Sequence, residues 1–264
     1  MCALAKIRIH RLIAIATGLA TLLAGMGTLQ AQPISVSNHS FESQLVNPMV
    51  FPVDFRIDSW QKAPKPGYFN DSPQLTWDQT VGMFNGTLQN PYSNLVGNQA
   101  AYMLSLPGAG IFQDNQSTDW NGAVSGLNAS FQIGYGYQLT LGVFGKSMAE
   151  NYSSMQLSLY YRDGANMVTV GAPTTITFSS TTFNPAGPFA LVDYSVNIPV
   201  VQTGDAWAGK NIGVRIDSAL GTGDGYWDMD NVRLTAVPEP ASLNLLAIGF
   251  GGILLARIRA RRQA

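Results

Sequence analysis

Cysteine is nearly absent: the only one among 264 residues is Cys2. The body of the chain can therefore form neither a disulfide of its own nor a thiolate site. Histidine is almost as scarce. His10 lies near the N-terminus, which leaves His39 alone in the body. One imidazole does not make a zinc site of the usual kind, and a Ser-His-Asp arrangement would have to use His39 itself. The simpler reading of His39 is a solvated loop residue. Charge is also sparse, at 12% of residues with a formal net charge of −1. That near-neutrality hides an uneven distribution. Lys6, Arg8 and Arg11 lie at one end, and Arg257, Arg259, Arg261 and Arg262 at the other. Between Gln32 and Ala236 there are eight basic against fifteen acidic side chains, an excess of seven negative charges. A domain with no basic stripe is not built for nucleic acid. It suits divalent cations, which take hard oxygen ligands. A phosphate loop is missing too, because the glycines at 221–225 precede a strand and carry no lysine. No pair of carboxylates has a spacing that marks a glycosidase.

What is present divides the chain into three parts. Residues 1–31 read as a secretory signal, with a basic start, an apolar run from Leu12 to about Met26, and Leu29-Gln30-Ala31 as a cleavage site. The alternative is a retained membrane anchor. Residues 32–236 are rich in Ser, Thr, Asn, Gly and aromatics and poor in Lys and Glu, a composition that disfavours helices. Short alternating runs such as 137–144, 155–161, 190–196 and 211–217 are separated by turn signals such as Arg162-Asp163-Gly164. The expected fold is all-β, a jelly-roll β-sandwich with a core large enough to do without disulfides. The stretch 62–97 is rich in Pro, Asn and Gly and is expected to form long loops. Residues 237–264 form a separate module. Pro238 and Pro240 should end the last strand. An apolar run from Leu243 to Ala256, a transmembrane helix candidate, and a cluster of arginines follow.

Val237-Pro238-Glu239-Pro240, a short apolar run and terminal arginines together resemble the PEP-CTERM sorting tail of Gram-negative bacteria. The resemblance implies signal peptidase and exosortase as partners, an inner-membrane stage, and delivery to the cell surface or extracellular matrix. Pro238, Glu239 and Pro240 are then the sorting motif.

The last strand of the body reads Gly225-Tyr226-Trp227-Asp228-Met229-Asp230-Asn231-Val232-Arg233-Leu234. Strand alternation puts Asp228, Asp230, Val232 and Leu234 on one face, with Val232 and Leu234 in the core. The start of the body reads Ser37-Asn38-His39-Ser40-Phe41-Glu42. Together these ends resemble galactose-binding-like jelly rolls, a group that includes carbohydrate-binding modules and the calcium-dependent Stig cyclases of cyanobacterial indole alkaloid pathways. The resemblance implies adjacent first and last strands and a structural calcium ion held by Glu42 and Asp230, with oxygens near Asn38. The alternative is that Glu42 caps a turn and Asp230 makes ordinary hydrogen bonds.

Aromatic residues are numerous, among them Trp60, Tyr68, Phe69, Trp77, Tyr92, Tyr102, Trp120, Tyr135, Tyr226 and Trp227. Trp60, Tyr102 and Trp227 are the candidate ligand contacts, and exopolysaccharide is the candidate ligand. In a cyclase, aromatics and an acidic residue would hold and protonate a terpene-indole substrate, and Asp228 is the candidate general acid. Most of these rings could equally be core. Three functions follow: a non-catalytic surface or matrix protein with a calcium-stabilised domain, a cyclase-like enzyme acting on a small hydrophobic molecule, or an envelope protein with no ligand. The sorting tail favours the first.

Overall fold

The computed structural model describes residues 30–43, 45–46, 53–85, 92–146, 150, 152–183, 189–221 and 223–239. Residues 1–29 of the expected signal segment and most of the tail, including Pro240 and the apolar run, lie outside them. Among the described residues no helix is long and apolar enough to cross a membrane. Residues 32–236 form one compact unit.

That unit is a two-sheet β-sandwich, as the alternating segments predict. In the larger sheet the strands run β10 (Val192–Ile198), β7 (Tyr135–Lys146), β12 (Tyr226–Pro238), β5 (Gln99–Leu104), β4 (Val81–Asn85) and β2 (Val53–Asp54), and β1 (Gln32–Ile34) also pairs with β12. In the smaller sheet they run β3 (Gln61–Lys62), β6 (Gly110–Gln113), β11 (Gly213–Leu220), β8 (Ser154–Asp163) and β9 (Asn166–Thr177). The first and last strands lie side by side and antiparallel, with Gln32 opposite Ala236 and Ile34 opposite Leu234. A hydrogen bond from the Val232 amide to the His39 carbonyl (2.8 Å) continues that join. His39 itself is exposed.

Two local expectations change. The stretch 62–97 is not all loop, since it contains a 3-10 turn at Trp77–Thr80 and strand β4. The last strand also continues through Pro238, past its final pairing with β1. A proline is tolerated there because it lies at the strand's end, beyond the last residue paired with β1.

Core and outer positions follow from strand alternation. In β7, Leu139, Leu141 and Val143 are fully buried in the core, so Gln138, Thr140, Phe144 and Lys146 face outward from the sandwich. In β8, Met155, Leu157 and Leu159 fill the core, and Ser158, Tyr160 and Arg162 face outward. Strand β12 breaks this rule once. Trp227 and Met229 lie in the core, and so do Val232, Leu234 and Ala236. These two sets cannot share a face in an unbroken strand. The phase changes at Asn231, whose φ is 58°. The expected common face of Asp228, Asp230, Val232 and Leu234 is therefore divided: the acids face outward and the aliphatics inward. Asparagine suits that left-handed position better than any residue but glycine.

We expect Asn231→Gly to leave thermal stability nearly unchanged and Asn231→Val to lower it by about 1–2 kcal/mol. Equal stability of the two variants in denaturant melts would show that the left-handed residue is not what sets the strand's phase.

Candidate functional site

The outer face of the larger sheet is where the sequence-predicted acids meet aromatic rings. Asp228 lies directly opposite Tyr102 on β5. Its side chain is buried (1% exposed), and its Oδ2 accepts a hydrogen bond from the Tyr92 hydroxyl. Its Oδ1 has no hydrogen-bond partner among the described residues. Burial pushes the Asp228 carboxyl up to about 7, opposed by the Tyr92 hydrogen bond and the positive charge of Lys146. Burial and then the Asp228 charge push the neighbouring Tyr226 phenol up to about 12.

Tyr92 joins Asp228 to an aromatic wall. Its ring meets Phe144 edge-on, with centroids 5.3 Å apart, and Phe189 at 6.4 Å. Phe144 and Phe189 meet at 5.3 Å and 79°. The Lys146 ammonium lies 5.6 Å from the Phe189 centroid. Tyr102 is half-buried, donates to the Gln79 carbonyl (3.1 Å), and covers Gly82 so closely that a methyl group there would clash with its hydroxyl. The result is a buried acid packed among aromatic rings, with one oxygen that has no hydrogen-bond partner among the described residues. Such an acid can hold a proton near neutral pH and donate it.

Two of the three expected ligand contacts are elsewhere. Trp227 is fully buried in the inter-sheet core, beside Gly145 and edge-on to Phe183 at 5.8 Å. It points inward because it is one residue away from Asp228 on the same strand. Trp60 is a buried prop (4% exposed). Its ring rests on Phe41, and its indole NH donates to the Asn38 carbonyl. Only Tyr102 shares a face with Asp228. Sequence reasoning missed Phe144, Lys146 and Phe189, although the outward parity of β7 signals the first two.

Asp230 and Glu42 come together from opposite ends of the unit. Asp230 is fully buried, and its oxygens accept from the Val96 (2.7 Å) and Asn231 (2.6 Å) amides. Glu42 Oε1 accepts from the Asn98 and Gln99 amides (2.7 and 2.6 Å). Burial pushes the Asp230 carboxyl up to about 7, and the charge of Glu42 adds to the rise. A buried carboxylate repelled by a second, half-buried one is the kind of hard-oxygen pair that a divalent cation relieves. Asn38 is committed elsewhere. Its Oδ1 accepts from the Ser43 amide and its Nδ2 donates to the Asp58 carbonyl, both at 2.9 Å, so it braces the turn. Among the described residues no cluster of three or more His, Cys, Asp or Glu side chains forms. A cation here would complete its shell with carbonyl oxygens and water.

The HpiC1-like family model, described as HpiC1 cyclase, matches residues 32–235. The chain belongs to the HpiC1-like cyclase family. No curated protein sequence matches it significantly. Among solved structures, it is similar to the Stig cyclase Fisc from Fischerella sp. TAU in complex with (3Z)-3-(1-methyl-2-pyrrolidinylidene)-3H-indole. The TM-score is 0.55 at 18% identity, covering 80% of this chain and 100% of that one. A cyclase from the same source in complex with 4-(1H-indol-3-yl)butan-2-one gives a TM-score of 0.54 at 18% identity, over 78% and 98% of the two chains. At this identity the likeness establishes the shared jelly-roll fold. The carbohydrate-binding module TmCBM61 in complex with β-1,4-galactotriose has a TM-score of 0.40 at 13% identity, over 76% and 97%.

In the metal-free protein the two raised carboxyls of this family member fix a pH dependence. Between pH 3.8 and about 7 the folded state keeps protons on Asp228 and Asp230 that the unfolded chain releases. Stability should therefore fall as pH rises through that window, by on the order of a few kcal/mol in total. Melting curves in chelator from pH 4 to 8 check this. A rising or flat stability would refute it, and Asp228→Asn should reduce the slope.

Proposed function

We propose that this chain is a cyclase-type enzyme acting on a small hydrophobic substrate, with Asp228 as general acid. The observation that carries the proposal is the Asp228 carboxyl on the outer sheet face. It is buried, steadied by the Tyr92 hydroxyl through one oxygen, and left with the other unpartnered beside the Tyr92–Phe144–Phe189 rings. Membership of a cyclase family supports this reading over the non-catalytic, exopolysaccharide-binding one that the sorting tail favoured. The indole ligands of the two Fischerella structures suggest indole-bearing molecules as the first substrates to try. In the proposed step, protonated Asp228 gives its proton to an unsaturated carbon or nitrogen of the substrate. The substrate becomes a cation, which the ring faces stabilise. Ring closure follows, and loss of a proton to the Asp228 carboxylate restores the enzyme and leaves an isomer of the starting material. General acid catalysis of this kind contributes about 10²–10⁴-fold.

Calcium belongs to this proposal as a structural ion. Glu42 and Asp230 would hold it and would clip the first turn of the unit to its last strand. A clip that closes so long a loop constrains the unfolded chain strongly. We further propose, on the motif at Pro238-Glu239-Pro240 and the basic, apolar start of the chain, that the protein is exported, trimmed by signal peptidase and exosortase, and delivered to the cell surface or matrix.

Three outcomes check these statements. With a panel of terpenyl-indoles, the wild type should give products of unchanged mass, and Asp228→Asn should lower turnover at least 100-fold with its melting temperature maintained. Full activity in that variant would remove Asp228 as the acid. Calcium at about 100 times its dissociation constant should stabilise the wild type by ~2.7 kcal/mol, and Asp230→Ala should abolish that shift. A shift that survives the substitution would reassign the ion. Intact mass of the exported protein should show loss of residues 1–31 and cleavage near Pro238; a full-length mass would overturn the processing scheme.

A further inference from the structure

The opposite side of the sandwich carries a second concavity. Tyr160 and Arg162 of β8 face outward from the smaller sheet, and the ring of Tyr160 fills the space where a side chain at Gly213 would stand. Together with Asp114, Gln116, Lys210 and Asn211 they line a cavity of about 390 Å³. A second cavity, of about 320 Å³, shares Asn211 and has a mixed lining in which Asn128, Ser130 and Gln132 stand beside Ile34 and Ala129.

The charges in the first cavity are organised. Asp114 is buried (2% exposed), and its Oδ2 accepts from both the Tyr160 hydroxyl and the Arg162 Nε at 2.6 Å. Its Oδ1 accepts from the Gln116 amide at 2.9 Å. The carboxylate is thus fully engaged and acts as a brace. It fixes Arg162 through Nε and leaves the two terminal guanidinium nitrogens without a hydrogen-bond partner among the described residues. Lys210 is the second cation. The other lysines and arginines of the described residues pair with carboxylates or lie in the field of one: Arg56 with Asp54, Lys62 with Asp78, Lys65 with Asp71, Arg215 with Asp217, Arg233 with Asp193, and Lys146 near Asp228. The Lys210 ammonium has no ion pair among the described residues. In a domain with seven excess negative charges, a cavity lined by Arg162 and Lys210 against the single carboxylate of Asp114 has a net positive lining, a local reversal of sign.

We propose that this cavity is a second ligand site, distinct from the Asp228 face, which takes an oxyanion, with carboxylate and phosphate as its two chemical forms. Arg162 offers a planar fork held in place by Asp114, the geometry that suits a two-oxygen anion. Lys210 supplies the second charge. Asn211 and Gln116 offer amide hydrogen bonds to hydroxyl groups next to the anion, and the adjoining cavity has room for further units. An acidic saccharide has this combination of groups, and free phosphate has the anion alone.

The test uses calorimetric titration of the full chain with three probes: a galacturonate trimer, inorganic phosphate, and a neutral galactose trimer. We expect the uronate to bind, with affinity falling at least tenfold in Lys210→Gln and falling again between 0.05 and 0.5 M salt. Lys210→Arg should restore binding. Lys210 is exposed, so its substitution leaves the core intact. Arg162→Gln, checked for its melting temperature, should abolish binding. Asp228→Asn should bind as the wild type does. Phosphate binding alone, with the same loss in Lys210→Gln, would identify the ligand as a free oxyanion. Binding of no probe, equal binding of the neutral trimer, or binding unaffected by Lys210→Gln would overturn the proposal.

Discussion

One left-handed residue decides how the last strand serves the molecule. Strand β12 must bury Trp227 and Met229 in the core at its start and Val232 and Leu234 at its end. These positions have opposite parity, so a regular strand would expose one pair. The φ of 58° at Asn231 shifts the phase between them. The shift places two aspartates, at positions 228 and 230, on the outer face instead of in an apolar interior. There each meets fixed donors. Tyr92 reaches Asp228, and the amides of Val96 and Asn231 reach Asp230. Burying a carboxylate without such donors costs several kcal/mol. The loop segment Tyr92–Gly97 is thus tied to the strand by the same acids that the site requires.

The fold was legible because it rests on local patterns. Alternating segments and turn signals pointed to a sandwich, and the two ends of the domain carried enough residue-level likeness to suggest that they meet. The site was legible only in part. Asp228 and Asp230 stood out as acids in an otherwise aromatic strand. Their orientation was read correctly relative to each other and incorrectly relative to Val232 and Leu234, because parity counting assumes an unbroken ladder. A single αL asparagine leaves no periodic trace. Trp227 was placed on the ligand side for a different reason: alternation was not applied to it, and a residue next to Asp228 on one strand must face the other way, where Trp227 packs against Gly145. The hydrogen bond between Tyr92 and Asp228 spans 136 residues, and no spacing rule reveals a contact of that range. Phe144 was closer to reach, since its parity in β7 is regular and opposite to that of the core residues Leu141 and Val143.

The geometry of the rings bears on which chemistry the outer face supports. A sugar platform presents ring faces in one plane, on which the flat side of a pyranose can lie. Here Tyr92, Phe144 and Phe189 meet edge-on at interplanar angles of 61–79°, so they do not pave one plane. A cation is attracted to whichever π face it meets, and faces at several orientations suit that attraction better than a single flat platform. The acid beside them is poorly solvated, which keeps part of its population protonated near neutral pH and able to donate. The smaller sheet has the opposite character. Its outer face gathers Arg162, Arg215, Asp114 and Asp217 in paired charges, with Lys210 left over. A jelly roll separates these two environments by the thickness of its core, so neither field imposes on the other. One scaffold can then hold an apolar acid site on one side and an anion site on the other, because the strands supply opposite faces at alternate residues.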